Sequence, residues 1–393
     1  MAYLNRKILK FIRGLAEQHS APAWTPRFAR SLVRATTQTL HRRYHEQLAR
    51  NAIAGRAANF DDVESYVSGH PVRLRVPMVL ISQVQRSGGT LLSQLFDAHP
   101  QLAAYPHELK QTLSAVDRWP LLDPEKGMDF NFRLLFDLNF PRLVRRGFTK
   151  GDRNPVRHPF LLISRVQYMV FKNLWESEPP RTARDILDHF FTAFFNGWLN
   201  YQGDIAQKRW LTAFAPRLAH DEESMRAFFD CYPDGRLIQI VRNPESWFPS
   251  AQKHTQSGLA DKDSEFVVQK WCVSAKSMQR NRQLFGDRVI LLRFEDLVGR
   301  TEETVRALCS LLDIAYDPIL LQPTFNGRPM HANSSFDVKG AGVIAAPLER
   351  KAMLSAQERR LIETSCGELY ESLLHDVLAV TASGASTEQA NLR

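Results

Sequence analysis

Several things are scarce or missing in this sequence, and each gap narrows its class. Only four cysteines occur in 393 residues. Cys231, Cys272, Cys309 and Cys366 stand far apart, with no Cys-x-x-Cys pair and no Cys/His grouping at metal-ligand spacing. They read as buried hydrophobes in a reducing compartment, and no metal site is expected. There is no run of about 18 apolar residues, so no segment is expected to span a membrane. The stretch "MAYLNRKILKFIRGLAEQHS" makes a poor signal peptide, because basic residues interrupt its apolar positions. Acidic residues are rare at the start of the chain. Residues 1–60 hold two Asp/Glu against eleven Lys/Arg, which accounts for the whole net charge of +9, and the remainder balances at 40 against 40. A neutral body gives no reason to expect a nucleic-acid partner. No internal repeat is visible.

What is present points to one large α/β domain with an appendage, since 44% of the residues are hydrophobic and helix-type and strand-type patterns alternate. The arm, 1–70, carries a basic amphipathic helix: Leu4, Ile8, Phe11, Ile12 and Leu15 share one face, and Arg6, Lys7, Lys10 and Arg13 the other. Such a helix suits an anionic membrane surface, a partner, or the chain's own domain. The expectation is a cytoplasmic protein with peripheral membrane contact through residues 1–20. A second helical pattern covers 28–52, and "SGHP" at 68–71 marks the boundary. The body, 71–380, has strand signals at "VPMVLISQV" (76–84), "KRWLTAFA" (208–215), "RLIQIV" (236–241) and "RVILLRFEDL" (288–297). Helical patterns between them argue for βαβ units and a parallel sheet. The aromatic-rich middle, about 110–205, reads as several helices whose Phe and Trp residues fill a core rather than an acceptor pocket. The last stretch, 381–393, is small and polar and reads as a disordered tail.

The most informative stretch is "SQVQRSGGTLLSQLFDAHPQL" (82–102), which leaves a strand and enters a helix. The backbone N–H groups and dipole of a helix N-terminus attract phosphate. Gly88 and Gly89 allow close backbone approach, Ser87 and Thr90 offer hydroxyls, and Arg86 offers a forked cation. A nucleoside triphosphatase would carry a lysine where Leu91 stands, and an aspartate for metal where "RLIQIV" runs into Arg242. A basic cradle without either suits a donor that needs no magnesium.

"QVQRSGGTLLSQLFDAHPQL" resembles the 5′-phosphosulfate loop of the PAPS-dependent sulfotransferases, in particular the tyrosylprotein and carbohydrate branch. Cytosolic aryl members usually have lysine where this chain has Arg86. "RLIQIVRNPESWFPSAQKH" (236–254) resembles the family's 3′-phosphate strand and helix, which implies Arg242 and Ser250 as phosphate ligands. An arginine at a strand end and a serine two turns into the next helix suit one phosphate. "VILLRFEDL" resembles the family's Glu-Asp-Leu strand, and Glu295 and Asp296 are assigned no chemistry. "GRPMHANSSFDVKG" and the residues after it (327–363) resemble the late cofactor segment, implying Asn333, Ser334, Ser335 and Phe336, with Lys339 and Arg350 as further phosphate partners. The resemblance spans about 76–375.

It implies a three-layer, P-loop-type parallel sheet flanked by helices, with the helical arm in front. It also implies sulfuryl transfer from PAPS, with PAP as product and no metal, to a small-molecule, glycan, lipid or peptide acceptor. Arg86, Ser87, Gly88, Gly89, Thr90 and Leu91 would hold the 5′-phosphosulfate, Arg86 acting at the leaving group. The tyrosylprotein branch has a glutamate shortly after its His-Pro pair. Here "HPQLAAYPHELK" offers Glu108, with His107 beside it, and the one-residue difference in spacing leaves the base open between them. A helix N-terminal pair is the bland reading of both. Thr212 and Arg217 are expected at the same cleft. A P-loop kinase and a catalytically silent nucleotide-binding protein stand as the alternatives.

Overall fold

The computed structural model describes residues 68–109, 118–137, 158–253, 262–330 and 352–380, with residues 65, 140, 143, 144, 147, 148 and 343 between them. Most of the expected basic arm and the whole expected tail lie outside the described residues.

The centre is a five-stranded sheet in the order β2-β3-β1-β4-β5, every pairing parallel. Its strands are β1 (Met78–Ile81), β2 (Leu102–Glu108), β3 (Trp210–Phe214), β4 (Arg236–Val241) and β5 (Val289–Arg293). Every residue of β1 and β3 is buried, as expected of parallel strands covered on both faces. The strand at 102–108 was not foreseen, and "LAAYPHE" explains why: Pro106 breaks the apolar pattern and lacks a ladder N–H. Proline is tolerated because β2 is the outermost strand, and its register slips between Ala104 and Glu108.

Helices cover both faces. On one side lie α1 (Gly89–Phe96), α8 (Phe294–Gly299) and α9 (Thr301–Leu311), whose Leu92, Leu95, Leu297, Val305 and Leu308 pack on Val79, Ile81, Ile238, Ile240 and Leu292. The other side is aromatic. It receives α2 (Met128–Leu135), α3 (Ser164–Ser177), α4 (Ala183–Gly197), α5 (Glu222–Cys231), α7 (Ser264–Phe285) and α10 (Ala356–Leu374). Helix α4 opens on a capping box between Thr182 and Asp185, and its Phe190, Phe191, Phe194 and Phe195 are almost wholly buried. Each such ring contributes about 1.5–3 kcal/mol by leaving water. The middle is therefore core, as expected, and the three-layer α/β architecture holds. No described helix is long and apolar enough to cross a membrane. Among the described cysteines, Cys272, Cys309 and Cys366 are buried and all four are free thiols.

The topology locates a site. From β1 the chain crosses to β2 on one edge, while from β4 it passes through α6 (Pro244–Gln252) and α7 to β5 on the other. Strands β1 and β4 are neighbours with departures in opposite directions, and the crevice at their carboxyl ends is where such sheets bind ligands.

Candidate active site

The loop 82–88 leaves β1 at that crevice. Gly88 caps α1 with a left-handed φ of 96°, and a Cβ there would meet the Phe294 ring at 2.7 Å. Gly89 is needed for another reason than ligand approach: its Cβ would lie 2.1 Å from Gln83 Nε2 and 2.4 Å from Phe214. The space it saves is taken by the protein. Arg86 also has a left-handed φ, 71°, without being glycine. Among the described residues, no hydrogen bond occupies the backbone N–H groups of Ser87 through Leu91, and the buried Ser87 hydroxyl has no partner either. Leu92 N–H is the first to return to the helix, donating to Gly88 O at 3.0 Å. The loop thus offers a row of donors at a helix N-terminus, the arrangement that receives a phosphate. Leu91 contributes its N–H only, since its side chain packs against the aliphatic core.

Strand β4 ends at Arg242, which is 3% exposed. Its Nη1 donates to Arg86 O at 2.7 Å, Nη2 to Ser246 O at 2.7 Å and to Ser250 Oγ at 3.3 Å, and Nε to Ser246 Oγ at 3.1 Å. The guanidinium lies 4.4 Å from the centre of the Phe294 ring. Arg242 and Ser250 thus lie within hydrogen-bond reach of each other, and Arg242 is also tied to the loop that leaves β1. Asn243 caps α6 through Glu245 N–H at 2.9 Å, with Pro244 at the first helical position. Glu295 accepts Asn243 N–H at 3.0 Å. The Glu-Asp-Leu segment opens α8, and its carboxylate braces this turn.

His107 and Glu108 are half-buried at the carboxyl end of β2. They sit on a strand rather than at a helix N-terminus. Glu108 pairs in register with Phe214, which pairs with Ile81 of β1. Two strand spacings put it about 10 Å along the rim from β1. His107 meets the Phe148 ring edge-on at 6.5 Å, and Phe148 stacks on Phe325 at 4.1 Å.

The His-Pro pair is structural. His99 Nε2 donates to Ala315 O at 2.9 Å, and Nδ1 accepts Gln101 N–H at 3.2 Å, fixing the passage from α1 to β2. Next to it, buried Asp97 accepts Thr324 Oγ at 2.7 Å and Gly327 N–H at 3.0 Å, and burial pushes its carboxyl upward. Thr212 is buried in the middle of β3, paired with Val79 and Ala104, so it does not reach the cleft. Arg217 follows β3 with a φ of 67°, its N–H donating to Gln83 O at 3.0 Å. Burial, then Arg217, Arg280 and Lys270, push the neighbouring His220 imidazole down to about 4.

A family model described as "Sulfotransferase family" matches residues 77–318, more than half of the chain. The chain belongs to the sulfotransferase family. No curated protein is matched. Among solved structures, the sulfotransferase is similar to the sulfotransferase domain from the curacin biosynthetic pathway. Their identity is 18%, over 75% of this chain and 98% of that one, with a TM-score of 0.45. The sulfotransferase domain of the Synechococcus PCC 7002 olefin synthase has 18% identity over 78% and 97%, with a TM-score of 0.46. The mouse sulfotransferase SULT7A1, complexed with PAP, has 10% identity over 80% and 94%, with a TM-score of 0.35.

Within this sulfotransferase, the structure brings Arg86, Ser87, Gly88, Gly89, Thr90, Leu91, Arg242 and Ser250 to one crevice. Asn333, Ser334, Ser335, Phe336, Lys339 and Arg350 lie outside the described residues. Three residues escaped the sequence reading. Trp247 Nε1 donates to Gln85 O at 2.8 Å, Trp271 Nε1 to Arg242 O at 2.9 Å, and Ser274 Oγ accepts Val84 N–H at 3.1 Å. An apolar residue in a helix looks like core, and no local pattern distinguishes an indole whose N–H is spent on a distant carbonyl.

Proposed function

We propose that this sulfotransferase takes its sulfuryl group from PAPS and passes it to a hydroxyl or amine acceptor. The observation that carries the reading is the row of unoccupied N–H groups at Ser87–Leu91, joined through Arg242 to the helix bearing Ser250. One anion site at a strand end and a second two helical turns away suit a nucleotide with phosphates at both 5′ and 3′ positions. In this reading the residues 86–91 hold the 5′-phosphosulfate, and Arg242 with Ser250 holds the 3′-phosphate.

The acceptor oxygen or nitrogen attacks sulfur in line, the bond from sulfur to the bridging oxygen breaks, and PAP departs with the electron pair. Arg86, Thr90 and the loop N–H groups stabilise the charge that gathers on the bridging oxygen. Glu108 takes the acceptor proton, with His107 as the competing base. The basic sequence of residues 1–70, in front of the catalytic domain of 71–380, would bring the protein to an anionic surface.

Thermal-shift measurement of the purified protein with PAP, with ATP plus magnesium, and with ADP tests the donor. PAP at a hundred times its dissociation constant should stabilise by about 2.7 kcal/mol. Stabilisation by ATP with magnesium and none by PAP overturns the reading.

A further inference from the structure

We infer that Trp247 is a positioning residue for the phosphate loop, acting through the carbonyl of Gln85 to hold Arg86 in its left-handed conformation. The inference rests on the donor reading above and adds to it a mechanical link between the two phosphate subsites.

A loop that turns its N–H groups outward turns its carbonyls inward, where each needs a donor. Three inward carbonyls of this loop have one. Gln83 O receives Arg217 N–H at 3.0 Å, Gln85 O receives Trp247 Nε1 at 2.8 Å, and Arg86 O receives Arg242 Nη1 at 2.7 Å. The last two belong to the peptide units on either side of the Arg86 Cα. Holding both planes fixes its φ of 71°, a conformation that side chains other than glycine keep only when the surroundings over-determine it. Both donors come from the same element, the end of β4 and helix α6, which also carries Ser250. Trp247 is 1% exposed, so its N–H has no water to exchange for the carbonyl. Behind the pair, Trp271 holds Arg242 O and Ser274 holds Val84 N–H, both from α7. The loop is thus gripped from beneath by the helix that frames the other phosphate.

A merely structural tryptophan would affect every ligand alike. A positioning one acts on the 5′ side only. The test is Trp247→Phe in the full chain, with dissociation constants for PAP, adenosine 5′-monophosphate and adenosine 3′-monophosphate. Losing one donor to a buried carbonyl should weaken PAP and the 5′-monophosphate about tenfold and leave the 3′-monophosphate unchanged. Trp210→Phe is the matched control. It removes an indole donor to a buried carbonyl, Leu312 O at 2.8 Å, at the start of β3, and should leave all three constants as in the wild type. Replacing Trp247 by benzothienylalanine keeps the bicyclic shape without the N–H and repeats the test if the phenylalanine variant does not fold. Equal weakening of all three ligands, or no weakening, overturns the inference while wild-type PAP binding stands. A wild-type protein that binds none of the three overturns the donor reading itself.

Discussion

The two ends of the strand rim are built in opposite ways. At β1 and β4 the polar groups are sealed in: Ser87 is 1% exposed, Arg242 3% and Ser250 0%; the Trp247 indole and the Arg242 guanidinium hold two of the loop's carbonyls, and the Trp271 indole holds that of Arg242. At the end of β2, His107 and Glu108 are half-buried on an edge strand interrupted by Pro106 and by a slip in register. The difference fits the work that the proposed mechanism gives each end. Anion stabilisation is strongest where dipoles are fixed and water is excluded. A group that gains and loses a proton at each turnover needs a path to solvent. The proposed mechanism thus places rigidity where charge would develop and access where protons would move.

Substitutions at the two ends should therefore differ in kind as well as in size. Arg86→Ala removes the cation proposed at the leaving group, and PAP release from PAPS should fall by about 10³-fold with acceptor present. A fall smaller than that caused by any change at β2 would reverse the comparison. Glu108→Gln should lower turnover by about 10²-fold while PAP affinity stays near the wild-type value. If His107→Gln gives that result and Glu108→Gln does not, the base is His107, and the rim comparison stands with a different residue.

An effect on stability, with none expected on turnover, lies between the two ends, in the turn after β3. The His220 imidazole titrates at about 4 in the folded protein against an ordinary 6.5. Between those values the unfolded chain binds a proton that the folded chain refuses, so this group's contribution is complete above pH 6.5 and is lost as pH falls toward 4. The full loss is about 3 kcal/mol. Thermal unfolding at pH 7 and pH 4.5 should show a smaller acid loss for His220→Gln than for the wild type. Equal losses would remove His220 from the account.

Much of this was legible in the residues. "RLIQIV" forms β4 over its whole length, and "VPMVLISQV" contains β1, because strands buried on both faces are written as continuous apolar runs. The helix start at Gly88, and the meeting of Arg242 with Ser250, were readable because such constraints act over a few residues. β2 was not readable: Pro106 is acceptable only because this strand is outermost, a fact of topology. The same gap set Glu108 and His107 against a helix-terminus reading. Gly89 looked like room for a ligand, and only the fold reveals Gln83 and Phe214 filling that room. Trp247 and Trp271 act across long separations, so no window of sequence could assign them.

Those separations have a temporal meaning. The grip of Arg242 on Arg86 joins residues 156 apart, that of Trp247 on Gln85 joins residues 162 apart, and Ser274 meets Val84 across 190. β1 itself lacks both neighbours until residues 211–214 and 236–238 are available to pair with it. During synthesis the chain therefore carries the phosphate-loop sequence long before it has the loop's geometry. Such distant closures come late in folding, because the entropy of ordering the intervening chain must be met before they form. The cradle cannot close as it stands until the chain has been made as far as Ser274.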